Sequence, residues 1–346
     1  MALSMASKMI QGAKASLRMA AGAWQFSKNR TTPNYAYQSL IQLFCLTGGR
    51  SNDLMARAMA LRYPTYDLGS AEGILGKLTR RDVTNVVEDI KEHGFHVFSE
   101  KLPATICDRL EAFALKQEAI IRQMDQESAR QYGTRKAVYN PVAPQGIIYE
   151  FDPEVLINQN DIQILMTDRS ILSVAQGYIG SKPVLDEVNL WWSTAYRANA
   201  DASAAQLYHF DMDRIRWLKF FIYLTDVEPQ NGPHCFVEGT HRTGGIPQDF
   251  LKRGYVRISD QEIQAAFSHD RLIEFTGPRG TIIAEDTRGL HKGRPILRGH
   301  RLILEFEFSN SLFGGTPHKV SRFGTFHGQD IEHFIRTHSR VYERWL

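Results

Sequence analysis

The chain has 346 residues, 43% of them hydrophobic and 23% charged, a globular composition that argues against a disordered or fibrous protein. Its net charge of +3 is unevenly placed: residues 1–52 hold no acid and six bases (Lys8, Lys14, Arg18, Lys28, Arg30 and Arg50), which leaves 35 bases and 38 acids over the other 294 residues. A body so close to neutral gives no reason to expect a nucleic-acid partner, and three scattered cysteines (Cys45, Cys107, Cys235) without a CxxC pair argue against a disulfide scaffold or a zinc ribbon.

Residues 1–24, rich in Ala, Ser and Met with three spaced bases, read as an amphipathic helix. Such a helix is either a targeting or membrane-surface segment or simply docked on the body, and the docked reading is favoured. The longest uncharged stretch, residues 31–49, is broken by Pro33, Asn34, Gln38 and Gln42, so no membrane span is expected. The N-terminus has no continuous apolar core, so no secretory signal is visible. A cytoplasmic location is expected, with organelle targeting through the acid-free N-terminus as the alternative. Residues 1–80 read as a mostly helical N-terminal extension with breaks at 31–34 and 46–52; residues 81–346 read as one further domain.

Within that domain residues 82–93 predict a helix capped by Gly94, and 95–99 a strand. Pro103 opens a helix expected to run to about residue 124. Residues 134–151 read as loop with a β-rich end, and 168–180 as helix. From Val184 onward, short β-type runs separated by turn residues predict strands at 184–194, 206–209, 217–224, 235–237, 272–275, 281–285 and 301–309, with a closing helix at 330–344. Many short strands of this kind suggest a sandwich, jelly roll or barrel.

The chemistry concentrates in Gln206-Leu-Tyr-His209-Phe-Asp211. A strand's period of two puts His209 and Asp211 on one face, an imidazole and a carboxylate side by side. His291, in Gly289-Leu-His291-Lys-Gly293, follows a distant strand and offers a third ligand. Two histidines and one carboxylate on one face of a metal are diagnostic of non-haem Fe(II) oxygenases. Ten residues later Arg301 opens a strand in which Leu302, Leu304, Phe306 and Phe308 share the face that packs on a core. Arg301, Ile303, Glu305 and Glu307 share the other. A guanidinium held inside a barrel mouth wants a carboxylate, which its planar fork binds bidentately, and a dicarboxylate cosubstrate provides one.

Together with Glu92-His-Gly-Phe-His-Val97, Leu218-Lys-Phe-Phe-Ile-Tyr-Leu-Thr-Asp-Val227, Asn231-Gly-Pro233 and Gly239-Thr-His-Arg242, these residues give the chain its likeness to a family. Over about residues 83–312 it resembles the phytanoyl-CoA dioxygenase family of Fe(II)/2-oxoglutarate-dependent oxygenases. The resemblance implies a mainly β protein with flanking helices, built on a double-stranded β-helix (jelly-roll) core. It implies Fe(II) on His209, Asp211 and His291, 2-oxoglutarate chelating that iron with its distal carboxylate on Arg301, O2 as the oxidant and ascorbate as an optional reductant. It implies hydroxylation of a small organic molecule, or of an acyl or amino-acid-type metabolite, with release of succinate and CO2. Asp211 argues against halogenation, because related halogenases carry a small residue there.

The resemblance also ranks the remaining candidates. Asn189 and Ser193, on one face of strand 184–194 with Trp191, are candidates for touching the cosubstrate, against the reading that they are merely satisfied polar positions. Tyr223 and Lys219 share a face, and for Tyr223 pocket wall and plain core both stay open. Tyr208 and Trp192 point away and read as core. His241 reads as part of a structural turn, and His234, His318 and His327 as structural or surface residues. Arg298, in an expected loop, is the rival to Arg301. Gly293 stands where the family often has Ser or Thr, which leaves one cosubstrate contact unassigned. Residues 196–205 are expected to form part of a lid. Two other classes stay open: a jelly-roll ligand-binding protein without catalysis, and a cupin-like metal enzyme without cosubstrate. Neither the substrate nor the oligomeric state is legible.

Overall fold

The structure is a computed structural model that describes residues 5–122, 135–197, 199–315 and 321–346. Three helices begin the chain: α1 (Met5–Asn29), α2 (Asn34–Thr47) and α3 (Arg50–Arg62). The break after α2 needs Gly48, whose φ of 60° is left-handed backbone that glycine adopts without a Cβ penalty. These helices pack inward. Phe26, Ala36, Leu40, Phe44 and Ala56 join one core cluster with Tyr208, Phe210, Met212 and Leu290. Phe44 stacks on Phe210 with ring centroids 5.4 Å apart. Buried Asn52 donates its side-chain amide to the Ile215 carbonyl at 3.0 Å. The helical extension therefore backs the segment that carries His209 and Asp211.

After a small hairpin, β1 (Ala71–Gly73) and β2 (Gly76–Leu78), comes α4 (Arg80–His93). Thr79 and Asp82 form a capping box at its start, and Gly94 caps its end at φ 99°. Then follow β3 (Phe95–Lys101), α5 (Ala104–Ala114), β4 (Glu118–Arg122), β5 (Arg135–Val138) and β6 (Ile148–Glu150). The remaining strands are β7 (Val184–Thr194), β8 (Trp217–Tyr223), β9 (His234–Val237), β10 (Leu272–Phe275), β11 (Thr281–Glu285), β12 (His291–Gly293) and β13 (His300–Ser309).

Eight strands form one antiparallel sheet in the order β3-β11-β8-β13-β7-β6-β4-β5, and three form a second in the order β10-β9-β12. β13 shows how the pattern builds the layers. Leu302, Leu304, Phe306 and Phe308 face a core shared with Ile90, Leu110 and helix Arg169–Ile179, so helices cover the outer face of the large sheet. Ile303 faces the other way, into a cluster with Phe221, Tyr223 and Ile283 of the large sheet and Phe236 and Phe275 of the small one. The two sheets thus enclose a common interior, which is a double-stranded β-helix flanked by helices. The fold class is the expected one, with more helix than "mainly β" conveys.

Several expected elements differ. Residues 206–209 are not a strand: they contribute only the isolated bridges Tyr208↔Ile258 and His209↔His291, because no neighbour runs alongside them for longer. The helix after Pro103 ends at Ala114, and Glu118–Arg122 is a strand instead. Its Ala119 and Ile121 are buried in the core while β5 and β6 satisfy its backbone on both sides, a tertiary pairing that overrides helical spacing. No helix among the described residues is long and apolar enough to cross a membrane.

Candidate metal centre

His209 and His291 lie far apart in the chain and are brought together by their own backbones. The His209 N–H donates to the His291 carbonyl at 3.0 Å, and the His291 N–H returns the bond at 2.8 Å. The two imidazole rings then sit 4.3 Å apart. Asp211, two residues on, is anchored by its N–H on the Thr287 carbonyl at 2.8 Å. Each ring is also oriented by its own loop: His209 Nδ1 lies 2.9 Å from the Leu207 carbonyl and His291 Nδ1 3.0 Å from that of Gly289. A carbonyl only accepts, so both protons reside on Nδ1 and both Nε2 lone pairs turn toward Asp211. Nε2 of His209 is 3.7 Å from Asp211 Oδ1, and Nε2 of His291 is 3.5 Å from Oδ2. All three side chains are buried, with ligand atoms within 4.8 Å of one another, and among the described residues this is the one group of three that could hold a metal ion.

Protonation suits that role. Burial pushes His209 and His291 below their ordinary value, so both are neutral donors at pH 7. Burial alone would raise Asp211, but the Lys219 ammonium and the two imidazoles hold it well below the usual carboxylate range. Lys219 Nζ lies 3.0 Å from Asp211 Oδ2, with Glu307 at 3.3 Å, Asp213 at 3.5 Å and Glu305 at 3.8 Å. Cation ligation needs deprotonated donors, and these are deprotonated.

The triad opens on a cavity of about 630 Å³ that Arg301, Ser193, Asn189 and Lys219 also line. Arg301 is 5% exposed, and its Nη2 lies 3.5 Å from Ser193 Oγ. Its Nε and Nη1 are buried and without a partner among the described residues. Leaving two buried donors of a guanidinium unpaired is costly unless an anion meets them. Arg298, the rival, is exposed in a loop.

The other candidates separate. The Asn189 amide donates to Glu187 at 3.0 Å and to Glu305 at 3.2 Å, so its donor side is already engaged. Tyr223 is fully buried, donates its hydroxyl to the Phe275 carbonyl at 2.9 Å and does not line the cavity. Trp192 and Tyr208 are core, as expected. His241 bonds the Lys91 carbonyl through Nε2, away from the triad. His327 bonds the Asn158 carbonyl, and His318 lies outside the described residues. Ala204 and Ala205, from the expected lid loop, line the cavity.

His234, read from the sequence as a structural or surface residue, belongs to the cavity wall. It is buried, lines the cavity, and its ring centroid is 5.6 Å from that of His291. Its Nε2 is 3.0 Å from the Glu285 carboxyl. Burial, with the charge of Arg301, lowers His234 to about 3, and burial raises Glu285 to about 8, so the pair is neutral at pH 7 with the proton on Glu285. His234 pairs across the small sheet with Gly293, the position that lacks a side chain. The available signal was its alternation with Phe236 on the inward face of β9, which follows from the strand period once that strand's start is placed one residue earlier.

No protein-family model matches the chain. Among curated proteins it is similar to ectoine dioxygenase of Sphingopyxis alaskensis, 25% identical over 166 residues that cover 43% of this chain and 54% of that one. The chain spans about half the length of that curated relative. Among solved structures it is similar to HygX from Streptomyces hygroscopicus, solved with nickel and 2-oxoglutarate, with 15% identity, a TM-score of 0.48 and coverage of 72% of this chain and 94% of that one. It is also similar to EctD from S. alaskensis, solved with bound iron, with 17% identity, a TM-score of 0.44 and coverage of 69% and 82%.

Proposed function

We propose that the chain is an Fe(II)- and 2-oxoglutarate-dependent dioxygenase that hydroxylates a small organic molecule, of acyl or amino-acid type, with release of succinate and CO2. The observation that carries this reading is the pairing, in one buried cavity, of a three-ligand His–Asp–His group with an arginine whose Nε and Nη1 have no partner among the described residues. His209, Asp211 and His291 would hold the iron, and Arg301, with Ser193 beside it, the far carboxylate of the cosubstrate. Iron, 2-oxoglutarate and O2 together supply the oxidising power through oxidative decarboxylation.

The chain's own residues do the rest. The backbone bonds between His209 and His291 hold the two imidazoles side by side, and the Leu207 and Gly289 carbonyls fix their tautomer. Lys219 keeps Asp211 ionised and turned to the histidines. His234, neutral and bonded to Glu285, and Phe221 wall the cavity without adding charge beside Arg301. Asn189 and Glu305 face the space left for substrate. Tyr223 serves the site at one remove, by setting the wall next to Arg301. The same reading keeps residues 1–80 as a helical extension and 81–346 as the oxygenase domain, and the free cysteines fit the reducing cytoplasm.

The test is succinate formation by purified protein with Fe(II) and 2-oxoglutarate under air, across a panel of small amines, amino acids and acyl compounds. The reading expects substrate-stimulated succinate that disappears in Asp211→Ala. Absence of succinate across the panel, or turnover unchanged in Asp211→Ala, would overturn it.

A further inference from the structure

Helix α1 is apolar on two opposite sides. Its inward seam is Ala15, Met19, Gly22 and Phe26, which pack toward α2. With about 100° between successive residues, Ile10, Leu17 and Trp24 lie on the side directly opposite that seam. They are 69%, 74% and 63% exposed, and Met9 beside them is 69% exposed. Ala13, Ala20 and Ala21 fill the gaps and are exposed as well. The outward face thus carries seven apolar side chains over about a third of the helix circumference, which a solitary soluble helix does not display without a partner.

Charge says what kind of partner. Residues 1–52 contain no acid; Lys14 borders the apolar face and Lys28 interrupts it, while Arg18 turns over the Tyr35 ring of α2. Lys28 lies with its ammonium 3.8 Å from the Trp24 ring centroid, an aromatic ring and a cation sharing one rim. The first acid, Asp53, is engaged by Arg288 at 3.1 Å and Thr243 at 2.7 Å and does not face outward as a counter-charge. A second copy of this helix would set bases against bases with no acid to pair them. An anionic bilayer meets both halves of the pattern: apolar side chains enter the acyl boundary, and the bases meet headgroup charge.

We infer that the outward face of α1 docks on an anionic membrane surface, with Ile10, Leu17 and Trp24 inserted and Lys14 and Lys28 at headgroup level. The inference is independent of the catalytic reading, because none of these residues reaches the cavity.

The experiment uses the full chain and vesicles of equal parts phosphatidylglycerol and phosphatidylcholine, compared with phosphatidylcholine alone, read by co-sedimentation. Binding to the anionic vesicles is expected, weakened by high salt and lost on phosphatidylcholine alone. Leu17→Glu and Trp24→Glu should each lower it by about tenfold or more, from the transfer free energy of one large apolar side chain. Their thermal midpoints should match the parent, since both positions face outward. Absence of binding to the anionic vesicles, or binding retained in both variants, would overturn the inference. So would a dimer in sedimentation velocity that Leu17→Glu dissociates, which would assign the face to a second copy.

Discussion

Arg301 is the residue on which the catalytic reading turns. Its strand places it inside the barrel, Ser193 is its cross-strand neighbour, and two of its donors have no partner among the described residues. A charge-assisted contact of that kind contributes about 3 kcal/mol, so Arg301→Ala should raise the apparent Michaelis constant for 2-oxoglutarate roughly a hundredfold in succinate assays. Arg301→Lys should recover little, because an ammonium cannot reproduce the planar fork. A Michaelis constant unchanged in Arg301→Ala would favour a metal enzyme that takes no cosubstrate. At this scale the triad and the arginine were legible because each is carried by a local pattern: HxD by its two-residue spacing, which survives although 206–209 is not a strand, and His291 and Arg301 by the order and spacing of the family they resemble. His234 was not. Its place beside His291 depends on the pairing of β9 with β12, a contact between segments over fifty residues apart that no local pattern announces.

At the scale of elements, packing decides what spacing leaves open. β7 matches its expected bounds because residues on both its faces are buried and its polar residues, among them Asn189 and Ser193, sit among Val, Leu and Trp that hold the strand in the sheet. β4 was misread because its neighbours, not its own composition, make it a strand. Two elements lend themselves to measurement. Phe44 on α2 closes over Phe210, so Phe44→Ala should destabilise the protein by about 3–5 kcal/mol in urea unfolding, a cost out of reach for a helix that merely touches the surface. The turn Gly239-Thr-His-Arg242 holds His241 buried, and burial lowers it to about 4. Below pH 6.5 the unfolded chain gains a proton there that the folded chain refuses, so this histidine subtracts stability as pH falls from about 6.5 to about 4. The stability of the parent relative to His241→Asn should therefore decline by about 1.4 kcal/mol per pH unit across that window. A difference independent of pH would show that His241 is protonated in the fold.

For the whole molecule, the charge split seen in the sequence coincides with a division of labour. The near-neutral body encloses the cavity, while the acid-free helices do two things at once: they back the HxD segment from one side and show an apolar, basic face on the other. The run of short strands and turns narrowed the fold to a sandwich, jelly roll or barrel, and the family resemblance singled out the jelly roll. Docking of the first helix on the body was the favoured reading, but which residues it and the next helices meet was not legible, because their core residues are small or widely spaced and find their partners in residues 208–215 and 290. A bound metal stabilises only the folded chain, so manganese at about a hundred times its dissociation constant should add about 2.7 kcal/mol, a rise of a few degrees in thermal midpoint that Asp211→Ala should lack. The most direct test of the central claim is calorimetric titration of 2-oxoglutarate into manganese-loaded protein without oxygen. The account predicts one equivalent bound by the parent, and binding lost in both Asp211→Ala and Arg301→Ala. Failure of the parent to bind, or binding that survives both substitutions, would contradict it.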